Sequence, residues 1–193
     1  MPVYKAGEKA TNDAMHKAVA TNKAVFLDRD GVLCEDTDFV TSFDKLRIYP
    51  FANEAIDIIH TKGYLAIVVS NQSGIARGMV SEEIVDEINK HLKDQTGVDE
   101  VYYCPHLPPE DEAIPPYRII CSCRKPKPGM LLKAATDHEI DLTRSYMVGD
   151  RDTDLEAGRN AGVTAVGVNG FPGGLKKEDA SFETLLDFAK WLR

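Results

Sequence analysis

The chain has 193 residues, of which 43% are hydrophobic and 28% charged, and its formal net charge is -8 at pH 7. This length and composition predict one globular domain with a sizeable core and exclude a disordered or fibrous chain. The acidic balance argues against a broad nucleic-acid or anionic-membrane footprint. No apolar stretch reaches membrane-spanning length, and residues 1–23 lack the apolar core of a secretory signal. We therefore expect a cytoplasmic monomer whose partner is a small molecule.

The chain divides into a short extension and one domain. Residues 1–23 show no clear hydrophobic period and are predicted to be a loosely attached N-terminal extension. Over residues 24–193 apolar runs alternate with helical patterns, which predicts a central parallel sheet covered by helices. The predicted strands, in chain order, are AVFL, YLAIVVS, EVYYC, SYMVG and TAVGV. The predicted helices lie within PFANEAIDIIHTKG, SEEIVDEINKHL, PGMLLKAATDHEI, DTDLEAGRNAG and SFETLLDFAKWLR.

Two of these helices have the clearest apolar faces. Ser81 is typical of a helix N-cap. The apolar face of the helix that follows Ser81 is predicted to hold Ile84, Val85, Ile88 and Leu92. In the last helix the predicted face holds Phe182, Leu185, Leu186, Ala189 and Leu192. Both patterns follow the helical period, so we expect both faces to be buried.

Polar residues stand at the ends of three predicted strands. AVFL is followed by Asp28, YLAIVV by Ser70, and SYMVG by Asp150. In an open parallel sheet ligands bind at the carboxyl ends of the strands, so these side chains should converge. Crowded carboxylates repel one another, and Mg²⁺ with its preference for oxygen ligands is the natural neutralising ion. Phosphoryl transfer is the leading chemistry, with Ser70 as a hydrogen-bond donor and Lys125 as a cation for the phosphoryl group.

A proline-rich segment over residues 105–128 interrupts the alternation of strands and helices. A long irregular segment in a compact domain is usually functional or held in place by something. The cysteines and the histidine in and beside it make a complete tetrahedral Zn²⁺ set, namely Cys104, His106, Cys121 and Cys123. Four protein ligands leave no open position, so this zinc is predicted to be structural. Outside the set, Cys34 is predicted to be a packing residue, and His16, His60, His91 and His138 to be surface or packing residues.

The order of these pieces resembles the haloacid dehalogenase superfamily of phosphatases over residues 24–169. The matching pieces are DRDGV, Ser70, Lys125 and GDRDTD. The resemblance implies a three-layer Rossmann-like α/β fold without a cap domain. It also implies that Asp28 is the nucleophile, that Asp30 is the acid and then the base, and that Asp28, the Asp30 carbonyl and Asp150 hold Mg²⁺. Asp154 either orients that metal shell or is an acid favoured by the first turn of a helix.

CPH and CSCRKP further resemble a zinc-containing subgroup of that superfamily. The subgroup comprises heptose 1,7-bisphosphate 7-phosphatases, which NQSGIARG favours, and histidinol-phosphate phosphatases, which remain the alternative. The loop EDTDFV departs from the Gly-Tyr pair usual in the heptose enzymes. The resemblance implies a substrate-binding set of Asn71, Gln72, Ser73, Arg124 and Arg151. A phosphatase of another sugar phosphate or of nucleic-acid ends is a further alternative, and a non-catalytic zinc-stapled binding module is disfavoured by the complete set of catalytic side chains.

Overall fold

The structure is a computed structural model that describes residues 21–170 and 180–193. Most of the predicted N-terminal extension therefore lies outside the described residues, as does His16. Where the described chain begins, the Thr21 N–H donates a hydrogen bond to the Glu139 carbonyl at 3.1 Å. The Lys23 ammonium lies 3.7 Å from the centroid of the Tyr64 ring. Thr21 and Lys23 thus contact the body of the domain.

Six parallel strands form one sheet. They are β1 (Ala24–Leu27), β2 (Leu65–Asn71), β3 (Glu100–Cys104), β4 (Tyr146–Gly149), β5 (Thr164–Gly167) and β6 (Ala180–Ser181). Their order across the sheet is β3-β2-β1-β4-β5-β6. The first five were predicted from their apolar runs, and β6 was not, because two residues are too few to show a period. The chain moves outward from β1 in both directions, so the sheet has its topological switch point beside β1.

Five helices cover the sheet in the described ranges. They are α1 (Ala52–Thr61), α2 (Glu82–Thr96), α3 (Gly129–Asp137), α4 (Asp152–Ala161) and α5 (Leu185–Trp191). The Ser81 hydroxyl accepts a hydrogen bond from the Ile84 N–H and caps α2, which runs on to Gly97 at φ 80°. In the same way the Thr184 side chain caps α5. Phe182, predicted on the face of that helix, therefore precedes it.

The helices form two layers with the sheet between them. Val25 and Leu27 pack into one core cluster with residues of α1, α2 and α5. Ala24 and Phe26 point the other way, into a second cluster with residues of α3 and α4. This alternation follows from the two-residue period of a strand, and it confirms the predicted three-layer fold. No further sheet or helical layer covers the carboxyl edge among the described residues.

Two details of the predicted helix faces are wrong. Val85, Ile88 and Leu92 are fully buried, but Ile84 is 39% exposed because it lies at the edge of the α2 stripe. In α5 the ring of Phe188, which the predicted face omitted, is fully buried. Within the described part of the chain, none of the helices is long and apolar enough to span a membrane.

Candidate active site

Three neighbouring strands bring polar side chains to one edge of the sheet. Asp28 follows β1, Ser70 lies near the end of β2, and Asp150 follows β4. A cavity of about 590 Å³ opens at this edge, beside the switch point. All of the residues that the sequence assigns to catalysis or substrate binding line it, namely Asp28, Asp30, Ser70, Asn71, Gln72, Ser73, Arg124, Lys125 and Arg151. A single cavity therefore collects a set drawn from four separate segments of the chain.

Lys125 bridges two carboxylates at the floor of this cavity. Its Nζ lies 2.9 Å from Asp28 Oδ1 and 2.6 Å from Asp154 Oδ1, and its side chain is 1% exposed. Burial alone would lower the pKa of Lys125, but the charges of Asp154 and Asp28 outweigh burial and raise it. The other oxygen of Asp154 accepts the Arg151 N–H and caps α4. Asp154 thus lies in the first turn of a helix, which is one of the two readings that the sequence left open, and it also pairs with Lys125, which the sequence did not predict.

Asp150 completes a group of three carboxylates. One oxygen from each of Asp28, Asp150 and Asp154 lies within 4.8 Å of the others. Burial raises the pKa of Asp28 to about 7, with Asp154 and Asp30 adding to the shift and Lys125 opposing it. Burial and the neighbouring Asp154 raise the pKa of Asp150 to about 6. These carboxylates are therefore short of positive charge when all of them are ionised.

A divalent cation fits this donor set. Three carboxylates and one ammonium leave two negative charges uncompensated when all are ionised. Asp150 Oδ1 is buried and has no hydrogen-bond partner among the described residues. Both oxygens of Asp154 are already engaged, so the free lone pairs belong to Asp28 and Asp150. In magnesium sites the protein usually supplies one or two carboxylate ligands, and water and substrate phosphate supply the remaining ligands.

Gly31 makes room for Asp150. The backbone of Gly31 has φ +82°, and a Cβ added there would lie 2.1 Å from Asp150 Oδ2. This glycine is therefore required twice, once for its left-handed conformation and once for the close approach of a carboxylate. The Asp-Gly pair at the end of β1 is thus part of the site as well as of a turn.

Asp30 faces the cavity but is held from behind by Arg29. Arg29 Nε and Nη2 donate to the two oxygens of Asp30 at 3.1 and 3.0 Å, and the Arg29 side chain is fully buried. Burial raises the pKa of Asp30, but Arg29 and hydrogen bonds from Gln72 and Cys34 outweigh it and hold that pKa below its usual value. Arg29 was not predicted as a site residue. Its position between two acids at the end of a strand is the one feature of the sequence that could have pointed to it.

The amides of Asn71 and Gln72 are already hydrogen bonded within the protein. Asn71 accepts the Lys125 N–H at 3.0 Å and donates to the Lys125 carbonyl at 3.1 Å. Gln72 donates to Ser70 Oγ at 2.8 Å and to Asp30 at 3.1 Å, and it accepts from Arg29 at 3.1 Å. Both were predicted to bind substrate, and both have their amide atoms turned towards residues that were predicted to be catalytic.

Cationic side chains surround the outer part of the cavity. Arg124 donates from Nη1 to the His106 carbonyl at 3.3 Å. Arg151 is ion-paired with Asp36, which belongs to the loop after β1. Arg77 also lines the cavity. It was not predicted, because one arginine in the polar loop after β2 carries no distinctive pattern.

The predicted zinc ligands form one buried cluster. Cys104 Sγ lies 3.6 Å from Cys121 Sγ, 3.1 Å from Cys123 Sγ and 3.6 Å from His106 Nδ1, which is itself 3.4 Å from Cys123 Sγ. A tetrahedral zinc ion separates sulfur and nitrogen ligands by about 3.5–3.8 Å, given bond lengths of about 2.0–2.3 Å. Three of these separations lie within about 0.2 Å of that geometry and the Cys104–Cys123 sulfur pair is about 0.7 Å shorter, so a small shift of one sulfur would let the four atoms hold such an ion.

Cys34 and the three described histidines outside the cluster lie in surface or packing positions, as the sequence predicts. Cys34 is buried and contacts Asp30, and burial raises the pKa of its thiol. His60 pairs with Asp99 at 2.9 Å. His91 and His138 make edge contacts with Phe43 and Tyr102. None of these three histidines lines the cavity.

Comparison with known proteins identifies the relatives of this chain. A family model described as HAD-hydrolase-like matches residues 122–182. The D-glycero-beta-D-manno-heptose-1,7-bisphosphate 7-phosphatase of Haemophilus ducreyi is 40% identical over 181 residues, which cover 88% of this chain and 98% of that protein. The protein of the same name from Pasteurella multocida is 38% identical, with coverage of 89% and 97%. The crystal structure of D,D-heptose 1,7-bisphosphate phosphatase from B. bronchiseptica, complexed with magnesium and phosphate, superposes with a TM-score of 0.75 at 33% identity and covers 88% of this chain and 97% of that one.

The fold and these similarities together define a phosphatase of the haloacid dehalogenase superfamily. The resemblance of the four sequence pieces to that superfamily is confirmed. Because the similarity to the curated relatives extends over nearly their whole length, the chain belongs to the family of D-glycero-D-manno-heptose-1,7-bisphosphate 7-phosphatases.

Proposed function

We propose that this enzyme removes the 7-phosphate of D-glycero-D-manno-heptose 1,7-bisphosphate through an aspartyl-phosphate intermediate. The observation that carries the chemistry is the arrangement of Asp28 and Lys125, whose charged atoms lie 2.9 Å apart at the floor of the cavity. The names of the curated relatives support the choice of sugar. The cavity is also within the size range of about 300–1,000 Å³ that is usual for small-molecule sites.

In the first half-reaction the Asp28 carboxylate attacks the phosphorus atom of the 7-phosphate. The P–O bond to the sugar breaks as the bond to Asp28 forms, and Asp30 gives a proton to the departing sugar oxygen. In the second half-reaction water attacks the same phosphorus atom and Asp30 takes a proton from it. The bond between Asp28 and phosphorus breaks, which restores the Asp28 carboxylate and releases inorganic phosphate. Asp30 therefore starts and ends each turnover protonated, although Arg29 and the other hydrogen-bond donors lower its pKa, so the protonated form is the minor one near neutral pH.

Lys125 and Ser70 stabilise the phosphoryl group during both steps. The Lys125 ammonium is fixed between two carboxylates, so it places a positive charge beside the reacting oxygens without reorganisation. Ser70 Oγ already accepts a hydrogen bond from Gln72. The Ser70 hydroxyl hydrogen has no acceptor among the described residues, so it can be donated in a hydrogen bond to a phosphoryl oxygen.

Asp28, Asp150 and the Asp30 carbonyl are the proposed Mg²⁺ ligands. When bound, the cation would neutralise charge on the phosphoryl oxygens. Cys104, His106, Cys121 and Cys123 are the proposed ligands of a structural Zn²⁺. In this way each metal has its own set of residues.

Arg124 and Arg151 are the proposed contacts for the far end of the substrate. Arg124 makes one hydrogen bond to a backbone carbonyl and retains donors that can face the cavity. A guanidinium suits a phosphate because two of its N–H groups can bind two oxygens at once. A second phosphate held in this way would keep the reacting phosphate in line with Asp28.

Histidinol phosphate is a second candidate substrate, and the acids around the cavity favour it. Asp36, Asp38 and Asp152 line the cavity together with the arginines. A cationic amine next to the reacting phosphate could pair with one of these carboxylates. Since Asp36 is already paired with Arg151, we prefer the bisphosphate.

The test is a substrate panel in which kcat/KM is measured for heptose 1,7-bisphosphate, the matching 7-monophosphate and histidinol phosphate. The bisphosphate should be the best substrate, with phosphorus NMR showing the 1-phosphate as product. Arg124→Ala should remove most of the preference over the monophosphate, about one to two powers of ten, because a charge-assisted hydrogen bond contributes about 1.5–3 kcal/mol. Arg144→Ala, at an exposed arginine away from the cavity, is the matched control. Faster hydrolysis of histidinol phosphate than of every bisphosphate would overturn the choice of substrate.

The proposal further includes a monomeric, cytoplasmic enzyme that acts on a small molecule and on neither nucleic acid nor membranes. The net charge of -8 supports the exclusion of polyanionic partners. Light scattering coupled to size-exclusion chromatography would test the monomer directly.

A further inference from the structure

A buried polar network connects helix α2 with the side chain of Asp30. Arg29 is at its centre, fully buried, and Asn89 of α2 is 1% exposed. Arg29 Nη1 donates to Asn89 Oδ1 at 3.1 Å, and Arg29 Nη2 donates to Gln72 Oε1 at 3.1 Å. Gln72 in turn donates to both Ser70 and Asp30. A fully buried arginine is rare and costly unless its hydrogen bonds are satisfied, so a physical role must offset that cost.

Arg29 and Gln72 fill three acceptor positions of the Asp30 carboxylate, and the Cys34 thiol, which also contacts the Arg29 carbonyl, lies at the fourth. Oδ1 accepts from Arg29 Nε at 3.1 Å and from Cys34 Sγ at 3.4 Å. Oδ2 accepts from Arg29 Nη2 at 3.0 Å and from Gln72 Nε2 at 3.1 Å. A carboxylate has about four lone-pair sites, so its plane and its position are both fixed. Proton transfer needs only one of these positions to be released, and the other three hold the group meanwhile.

The geometry points to Arg29 and Gln72 as positioning residues for Asp30, and we infer that Gln72 acts in this way instead of binding the sugar. The inference rests on the proposed role of Asp30 as the acid and base. Arg29 supplies a planar fork that matches both carboxylate oxygens, which a lysine cannot do. Gln72 uses its three hydrogen bonds on Arg29, Ser70 and Asp30, and it is 8% exposed. It therefore joins the acid to the serine that faces the phosphoryl group.

The dependence of the rate on the leaving group tests this inference. An alkyl phosphate needs a proton on its departing oxygen, whereas p-nitrophenyl phosphate releases a stable anion and does not. Misplacing Asp30 should therefore slow the sugar bisphosphate much more than the aryl ester. We compare kcat/KM, which covers the steps up to phosphorylation of Asp28 and excludes the hydrolysis of the intermediate that both esters share. We expect Arg29→Lys and Gln72→Met each to lower the ratio of kcat/KM for the sugar bisphosphate to kcat/KM for the aryl ester by about 10- to 100-fold, since a displacement of about 1 Å can cost about 10²-fold. Asn89→Leu, which lies outside the cavity, should lower the ratio in the same direction by a smaller factor.

Two further measurements separate positioning from folding. Thr96→Val replaces another buried polar residue of α2, whose hydroxyl donates to the Leu92 carbonyl and not to a member of the network, so it should leave the ratio unchanged. Each substitution is then repeated in the Asp30→Asn background, where a residue acting through Asp30 loses its effect on the ratio. If Arg29→Lys fails to fold, Gln72→Met and Asn89→Leu provide the same comparison.

The outcomes are distinct. Equal losses of kcat/KM on both esters would show that Arg29 and Gln72 have only a structural role. An effect on the ratio that persists in the Asp30→Asn background would show that they do not act through Asp30. Either result overturns the inference. If Asp30→Asn itself lowers kcat/KM equally for both esters, the acid role of Asp30 in the proposed function fails. A selective effect of Asp30→Asn without one from the network variants leaves that role intact and refutes the positioning alone.

Discussion

Replacing Gly31 with alanine is expected to abolish most of the activity while leaving the fold in place. The added Cβ would lie 2.1 Å from Asp150 Oδ2 and 2.5 Å from Asp150 Cγ. The obstructing atoms are the end of a flexible side chain, so the carboxylate can rotate away and the chain can still fold. To reach an ordinary contact distance it must retreat by about 1 Å or more, which takes an oxygen out of range of a cation whose ligands bind at about 2.0–2.1 Å.

The cost to stability can be separated from the cost to the site. A left-handed backbone conformation costs a non-glycine residue about 1–2 kcal/mol. Gly162 has nearly the same backbone, with φ +85°, and a Cβ there would meet nothing within 4 Å. Gly31→Ala and Gly162→Ala should therefore lose similar amounts of unfolding free energy, apart from the displaced carboxylate.

The assay is a magnesium titration of phosphatase activity, with urea unfolding of the same preparations. Gly31→Ala should need at least about 10-fold more Mg²⁺ for half-maximal rate, which is the scale seen when the support of a metal ligand is lost. Gly162→Ala should titrate like the unmodified enzyme. An unchanged magnesium requirement in folded Gly31→Ala protein would refute the role of Asp150 as a ligand.

Three further substitutions test other parts of the site. Asp28→Asn should abolish turnover in a folded protein, because an amide cannot form the acyl phosphate, and clear residual activity in a clean preparation would contradict the nucleophile assignment. Cys121→Ser should lower both zinc content, measured by elemental analysis, and thermal stability, and it should weaken activity although the carboxylates are untouched; zinc-free unmodified protein purified without chelator would count against the site. Asp154→Asn should retain the cap of α4 but leave Lys125 with one carboxylate, so we expect about 1–3 kcal/mol less unfolding free energy in urea and a lower kcat. Normal stability and kcat would show that the second ion pair contributes nothing.

The strands and the carboxylates at their ends were predictable because both leave local patterns. A run such as AVFL followed by Asp28 shows a buried strand and its polar end within a few residues. The cluster of cysteines and histidine has a similarly local signature, with two short pairs around one irregular segment. Strand β6 could not be found in this way, since its two residues belong to the sheet only through pairing with β5.

The network behind Asp30 could not be predicted, because its members are distant in sequence. Asn89 is 60 residues from Arg29, and Gln72 is 43 residues from it. An arginine beside two acids looks like a solvated charge, as arginines usually are. Only the packing of α2 against the sheet makes it a buried group. The same limit applies to Asn71, whose partner Lys125 is 54 residues away.

The position of Lys125, the proposed catalytic cation, is fixed although it lies in an irregular segment. Loops are usually more mobile than the elements they connect, and Lys125 lies in a segment without regular structure. Its backbone is bound by both amide atoms of Asn71, and Asn71 is the register partner of Cys104 on the neighbouring strand. Cys104 in turn contacts Cys123, two residues before the lysine. The zinc-ligand cluster and the Asn71 amide therefore hold the same short piece of chain from two sides. This is why loss of a ligand as far from the reaction as Cys121 should reach the phosphoryl group.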